Sequence, residues 1–203
     1  MAKKIVFVFL CILYFENLYS QDFKKIFLEI NSKDKFFIIT KPITSLIVIK
    51  IAMQVNSILV NKQSENFLDS DPQGGQIDAF RHIFLMYKLS LEIGIEKARR
   101  IGNIYESYNE KVFYKNPDSG YDEVGQEMDK FNNEVGIYLF LKLGIVDDKT
   151  LINEIEKEII KGTARKIYKN NEKRSISIDN MIIEDSIWMK SWKNERVLIQ
   201  SNR

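Results

Sequence analysis

The chain reads as a mainly α-helical protein, a compact multi-helix single domain, and three observations carry that reading. Only 3 prolines and 9 glycines interrupt 203 residues, and long apolar-periodic stretches between few breakers favour helices over a many-stranded β fold. Turn-forming composition is confined to short segments such as Asp71-Pro72-Gln73-Gly74-Gly75 and Asn116-Pro117-Asp118-Ser119-Gly120. Charged residues make up 29% of the chain and are mixed in sign along it, which is the pattern of solvated helix faces rather than of a basic patch. No internal repeat or low-complexity linker divides the chain, so one domain is expected.

Residues 1–20 predict a secretory signal peptide. Lys3 and Lys4 form a positive start, Ile5 to Phe15 an apolar run, and Glu16, Asn17 and Ser20 a polar and small-residue end. The run is shorter than the roughly 20 apolar residues that span a bilayer. Cleavage after Ser20 leaves Gln21 as the new terminus, although Leu18 is larger than the usual residue at that place. An uncleaved signal that tethers the chain to the membrane is the alternative. A lipid anchor on Cys11 is set aside, because Val8-Phe9-Leu10 is bulky where small residues are needed. The expectation is therefore a signal peptide over 1–20 and an exported, periplasmic or secreted domain over 21–203.

Cleavage has chemical consequences. Cys11 is the only cysteine, so the mature chain has no disulfide, thiol nucleophile or cysteine metal site. A domain of this length buries enough apolar surface to do without a disulfide. Losing two lysines and one glutamate takes the formal net charge from +2 to +1, a balance that gives no reason to expect a nucleic-acid partner.

A short helix is expected over 22–30, with Phe23, Ile26, Phe27 and Ile30 on one side, before a break at Pro42. Ile43 to Val60 is the most apolar segment of the mature chain. Lys50, Gln54 and Asn56 lie within it, and charge near a bilayer centre is costly. A buried core helix is the reading adopted, with two short strands as the alternative, and stable membrane insertion of the mature chain is not expected. A polar loop from Asn61 to Gly75 follows. Helices are then predicted over 76–93, 96–110 and 122–143. A last helix starts at an Asp147 or Asp148 N-cap and runs to about Tyr168. In the tail, Ser175-Ile176-Ser177-Ile178 alternates like a strand, which leaves room for a short strand pair near the C-terminus. Ile187, Trp188 and Trp192 read as a docking helix.

The candidate chemistry begins at His82, the only histidine. It stands four residues after Asp78 in Asp78-Ala79-Phe80-Arg81-His82, so the two share a helix face. A carboxylate beside an imidazole raises its basicity and fixes its tautomer, as a general base or a metal ligand requires. Ile77, Phe80, Phe84, Tyr87 and Leu91 define the core side, while Leu85 and Leu89 continue the His82 face. Gly74 and Gly75 permit close backbone approach. On a later helix Asp129, Asn132, Asn133 and Gly136 form one stripe beside an apolar stripe of Met128, Phe131, Val135, Tyr138 and Leu139. Two mid-helix asparagines call for a role, and Gly136 lets a neighbouring helix come close. Glu106 and Glu110 share a helix whose core side includes Ile101, Ile104 and Tyr108. The plainer reading makes Asp78 a helix-dipole acid, His82 a satisfied interior histidine and Asp129, Asn132 and Asn133 solvated.

These segments resemble an uncharacterised family of bacterial, often secreted, helical domains. Its signature is Asp-Ala-x-Arg-His at a helix start, His-Glu on the next helix, and Asp-x-x-Asn-Asn-x-x-Gly on a third. The first motif stands intact at Asp78–His82 and the third at Asp129–Gly136, within a motif-bearing core over 73–144. The second departs from the pattern, with Tyr105-Glu106 in place of His-Glu. The resemblance implies a shared fold and a shared polar centre, and no established activity.

Two readings use the same residues. In one, the centre is a mutually satisfied network in an envelope component that binds a partner or small ligand, or is structural. In the other, an extracytoplasmic hydrolase uses His82 as general base or acid oriented by Asp78. Glu106 and Asp129 are then further acids or ligands, Arg81 stabilises an anion, and Asn132, Asn133 and Tyr105 position substrate. A divalent metal held by the histidine with aspartate and glutamate is an extension of the second reading. A membrane-inserting effector built on Ile43 to Val60 is a third and weaker idea. Convergence of Asp78, His82, Glu106 and Asp129 in an open cleft, rather than a sealed interior, is what separates the first two.

Overall fold

The computed structural model describes residues 32, 35, 36, 40–62 and 68–203. The signal peptide and the helix expected over 22–30 lie outside the described residues. From Pro42 onward the order is α1 (Pro42–Lys62), α2 (Gln76–Ile93), α3 (Ile95–Lys115), a 3-10 turn (Pro117–Ser119), α4 (Glu123–Leu143), α5 (Asp148–Lys161), β1 (Arg165–Ile167), the one-turn α6 (Asp185–Trp188) and β2 (Leu198–Gln200). The chain is mainly α, as its periodicity predicts.

Helix α2 lies at the middle and packs on α1, α3, α4, α5 and β1. It is buried on the His82 face as well as on the predicted core side. Phe80, Phe84 and Tyr87 join Leu139 of α4, Ile155 of α5 and Leu59 of α1 in the main core, and Met86 and Leu89 join Ile51, Ala98 and Ile137 in a second core. The first turn of α2 is capped from a distance, since the Asp69 carboxylate accepts the Gln76 N–H at 2.9 Å. Close contact with α4 needs Gly136. A Cβ there would stand 2.5 Å from the Ile83 carbonyl oxygen and 2.9 Å from Met86 Cβ.

Segment 43–60 is a helix, not two strands, but only one stripe of it is deeply buried. Ile51, Val55 and Leu59 face the core, whereas Ile43, Met53 and Val60 are exposed. By length and composition this helix, with mean hydropathy 1.8, is apolar enough to cross a membrane. Its polar Gln54 donates to Asp148 at 2.6 Å, which also holds Lys88 at 3.0 Å.

Three predicted boundaries move. Helix α1 runs through Lys62, into the segment read as loop, and α3 extends to Lys115 rather than stopping near Glu110. Helix α5 ends at Lys161, not Tyr168, because Gly162 takes φ 91°. In that left-handed cap the N–H of Thr163 returns to Glu158 at 3.0 Å. The chain freed by this stop becomes β1, antiparallel to β2 with Arg165 opposite Gln200 and Ile167 opposite Leu198. Ser175–Ile178 contributes only isolated bridges, Lys169 to Ser175 and Ile176 to Ile182. The docking helix shrinks to α6, where Trp188 is buried and Ile187 exposed, while Trp192 packs on Phe113 and Tyr114. On α4, Phe131 and Tyr138 are exposed rather than core.

The N-terminus of α4 is tied to the tail. Asp122 caps it by accepting from Gly125 at 2.8 Å and pairs with Arg196 at 3.0 Å, with side chains 1% and 4% exposed. The Arg196 guanidinium lies 3.9 Å from the Trp188 ring centre.

Candidate functional site

The first two turns of α2 and the second of α4 face each other. The close approach allowed at Gly136 sets their spacing. Asp78 is held from two sides. Its Oδ2 accepts the Gly74 N–H at 2.7 Å, and its Oδ1 accepts from Arg81 at 2.6 Å. Gly74 is itself fixed by β1, because its carbonyl accepts the Ile167 N–H at 2.7 Å. The Gly74-Gly75 approach expected from sequence thus ends in a backbone donor for Asp78, a partner that side-chain motifs do not reveal.

His82 joins the two helices. Its Nδ1 lies 3.0 Å from Asn133 Oδ1. An amide oxygen only accepts, so Nδ1 carries the proton. Its Nε2 faces two carboxylates, Asp129 Oδ1 at 3.1 Å and Asp78 Oδ1 at 3.9 Å. The 3.1 Å approach is an ion-pair contact rather than an aligned hydrogen bond, and Asp129 Oδ1 is a buried acceptor without a hydrogen-bond donor among the described residues. Side-chain exposures of 11% for His82, 13% for Asp78 and 16% for Asp129 show a nearly closed centre.

Glu106 of α3 stands behind this group, 1% exposed. Its carboxylate accepts from Asn109 Nδ2 over a long 3.5 Å, and Asn109 Oδ1 has no hydrogen-bond partner among the described residues. Asn109 was not among the predicted residues; its three-residue spacing from Glu106 was the available signal. Asn132 turns elsewhere. It donates to the Arg165 carbonyl at 3.0 Å and accepts the Arg165 N–H at 2.9 Å, which clips β1 to α4. Tyr105, 41% exposed, and Arg81, 33% exposed, are the accessible members.

The electrostatics follow from burial and crowding. Burial disfavours charge on His82, but the carboxylates of Asp129, Asp78 and Glu106 and the contact with Asn133 outweigh it, and the imidazole pKa is raised. Burial pushes Glu106 up to about 7, against the pull of His82. It likewise raises Asp129 well above the ordinary carboxylate range, with His82 opposing and Asp78 and Glu106 adding to the shift. The hydroxyl end of Tyr105 is enclosed despite the exposed ring. Burial, then Tyr121, Glu106 and Asp129, keep it un-ionised.

Asp78, His82 and Asp129 each offer one ligand atom, and these atoms lie within 4.8 Å of one another. Two cavities lie nearby, and neither is lined by these three residues. A cavity of about 130 Å³ touches the cluster only at Asn133, with Met86, Arg99, Asn103, Lys130 and Glu134 as its other walls. The larger hollow of about 260 Å³ lies along α3, between Glu96 and Ser107. The arrangement can hold a proton or cation between a ring nitrogen and two carboxylates.

The family model described as Domain of unknown function (DUF6973) matches residues 35–163, and the chain belongs to that family. No curated protein and no solved structure matches it.

Proposed function

We propose that this DUF6973 member is an exported helical domain whose Asp78–His82–Asp129 centre acts as an electrostatic keystone in an envelope binding or structural component. The observation that supports it most is the double engagement of His82. One ring nitrogen meets Asn133 of α4 and the other faces Asp129 and Asp78. A positive ring there offsets two buried carboxylates and ties α2 to α4. Arg81 and Tyr105, the accessible members, are the contacts for a small ligand or envelope partner. Export rests on Lys3, Lys4 and the Ile5–Phe15 run.

His82→Gln tests the keystone. The expected result is a drop of about 3 kcal/mol in denaturant stability at acidic pH, as for breaking a buried pair by removing one partner. An unchanged midpoint at every pH overturns the reading. Terminal sequencing of the product recovered outside the cytoplasm tests export, and Gln21 is the expected first residue.

One observation favours the second reading, a hydrolase. Glu106, held up to about 7 beside an imidazole, keeps a substantial protonated fraction at neutral pH and suits a general acid. Hydrolysis of envelope fractions that is lost in Glu106→Gln with the fold intact supports that reading; activity equal to wild type excludes Glu106 as the acid.

A further inference from the structure

We propose that Asp78, His82 and Asp129 form a site for one divalent transition-metal ion, with His82 Nε2 and one oxygen of each carboxylate as its ligands. The proposal rests on the same centre as the keystone reading and names the cation that occupies it.

Four features carry it. The first is spacing. Ligands about 2.1 Å from a shared ion at tetrahedral angles stand about 3.4 Å apart, and the Nε2 distances of 3.1 Å to Asp129 and 3.9 Å to Asp78 straddle that value. The second is the tautomer. Asn133 Oδ1 holds the proton on Nδ1 and leaves the Nε2 lone pair facing the carboxylates, the arrangement by which an outer partner orients a metal-binding histidine. A lone pair set against two carboxylates is relieved by a proton, which gives the positive ring of the keystone, or by a metal ion that takes the proton's place. The third is Asp129 Oδ1, a buried acceptor that no hydrogen-bond donor satisfies, on the same small space as the ring nitrogen. The fourth is the donor set. One imidazole with two carboxylates suits Zn²⁺ or Mn²⁺, whereas Mg²⁺ and Ca²⁺ favour oxygen alone.

Arg81 does not block the site. It takes Asp78 Oδ1 at 2.6 Å, and a carboxylate oxygen has a second lone pair for an ion. Three ligands leave further positions for water, and Glu106 is not among the groups whose ligand atoms converge.

The test is titration calorimetry of the folded full chain with Zn²⁺ and Mn²⁺, with Mg²⁺ and Ca²⁺ as controls, and a melting curve for each. One Zn²⁺ or Mn²⁺ per chain and a raised melting temperature are expected. Asp129→Asn is expected to abolish binding, and Asn133→Ala to weaken it about 10- to 100-fold. A folded wild type that binds neither ion, or an Asp129→Asn variant that binds as wild type does, overturns the proposal.

Should Asp129→Asn fail to fold, nitrogen NMR of the sole histidine decides on the wild type. Zn²⁺ is expected to move the Nε2 signal while Nδ1 stays protonated, and no movement is refutation. A chain that binds no metal but is destabilised by His82→Gln loses the metal site and keeps the keystone. Indifference of metal-free stability to His82→Gln, in a protein whose wild type binds Zn²⁺ and whose Asp129→Asn variant does not, loses the keystone and keeps the metal site.

Discussion

His82 and Glu106 shift in the same direction, so protonation is linked to folding at both residues. The folded pKa of His82 lies above its ordinary 6.5. The stability it brings is complete below pH 6.5 and is lost as pH rises through the folded value. Burial moves Glu106 from 4.5 to about 7, so its protonated form is the one the folded chain prefers. That preference is complete below pH 4.5 and is lost as pH rises through about 7. The melting temperature of metal-free protein is therefore expected to fall from acidic to neutral pH, and the cluster titrates as one unit. Glu106→Gln should flatten the lower part of that profile and His82→Gln the upper part, in a thermal-melt series. A wild-type profile that rises with pH contradicts both assignments. The pairing of Asp78 with His82 was legible in the four-residue spacing. The choice between Asn132 and Asn133 was not, because neighbours on a helix point about 100° apart and only β1 decides which of them turns away.

At the scale of elements, the α2–α4 contact depends on the missing side chain at Gly136. Alanine normally gains about 1 kcal/mol over glycine inside a helix. Here its methyl would stand 2.5 Å from the Ile83 carbonyl. Gly136→Ala is expected to be destabilising by about 1–3 kcal/mol despite its better propensity, as overpacking is. The urea midpoint measures it, and a stabilised variant would show that the helices separate easily. The close approach was readable from Gly136 within a polar stripe. The depth of α1 was not, since a run of Ile and Val does not state how many neighbours will cover it.

Over the whole molecule, the tail is held to the helices by charge as well as by β pairing. Asp122 and Arg196 are 74 residues apart and both almost fully buried. Asp122→Ala leaves Arg196 without its carboxylate and α4 without its N-cap. A loss of about 3–5 kcal/mol is expected, with release of the segment around Trp188 visible as a change in tryptophan fluorescence. A variant that melts as wild type does would make the pair ornamental. The fold class and the starts of α2, α4 and α5 were legible in periodicity and caps. The end of α5 was concealed because apolar periodicity continued to Tyr168, although Gly162 offered a stop. The pairing of β1 with β2 was hidden for a different reason. Strand partners 35 residues apart, such as Arg165 and Gln200, carry no mutual signal in local pattern.

The enclosure of α2 by five neighbouring elements also sets the clock on which its amide hydrogens exchange with deuterium. Amides from Phe80 to Leu89 are expected to exchange late, through unfolding of the packed unit. The exposed turn at Asp179 and Asn180 is expected to exchange early. Arg81 and Tyr105 meet solvent at the rim of the His82 centre, so protons or ions are expected to reach the ring there without unfolding of the core. Deuterium exchange at the His82 amide and titration of its ring are therefore expected to run on separate clocks, the first set by the whole core and the second by two side chains at its rim.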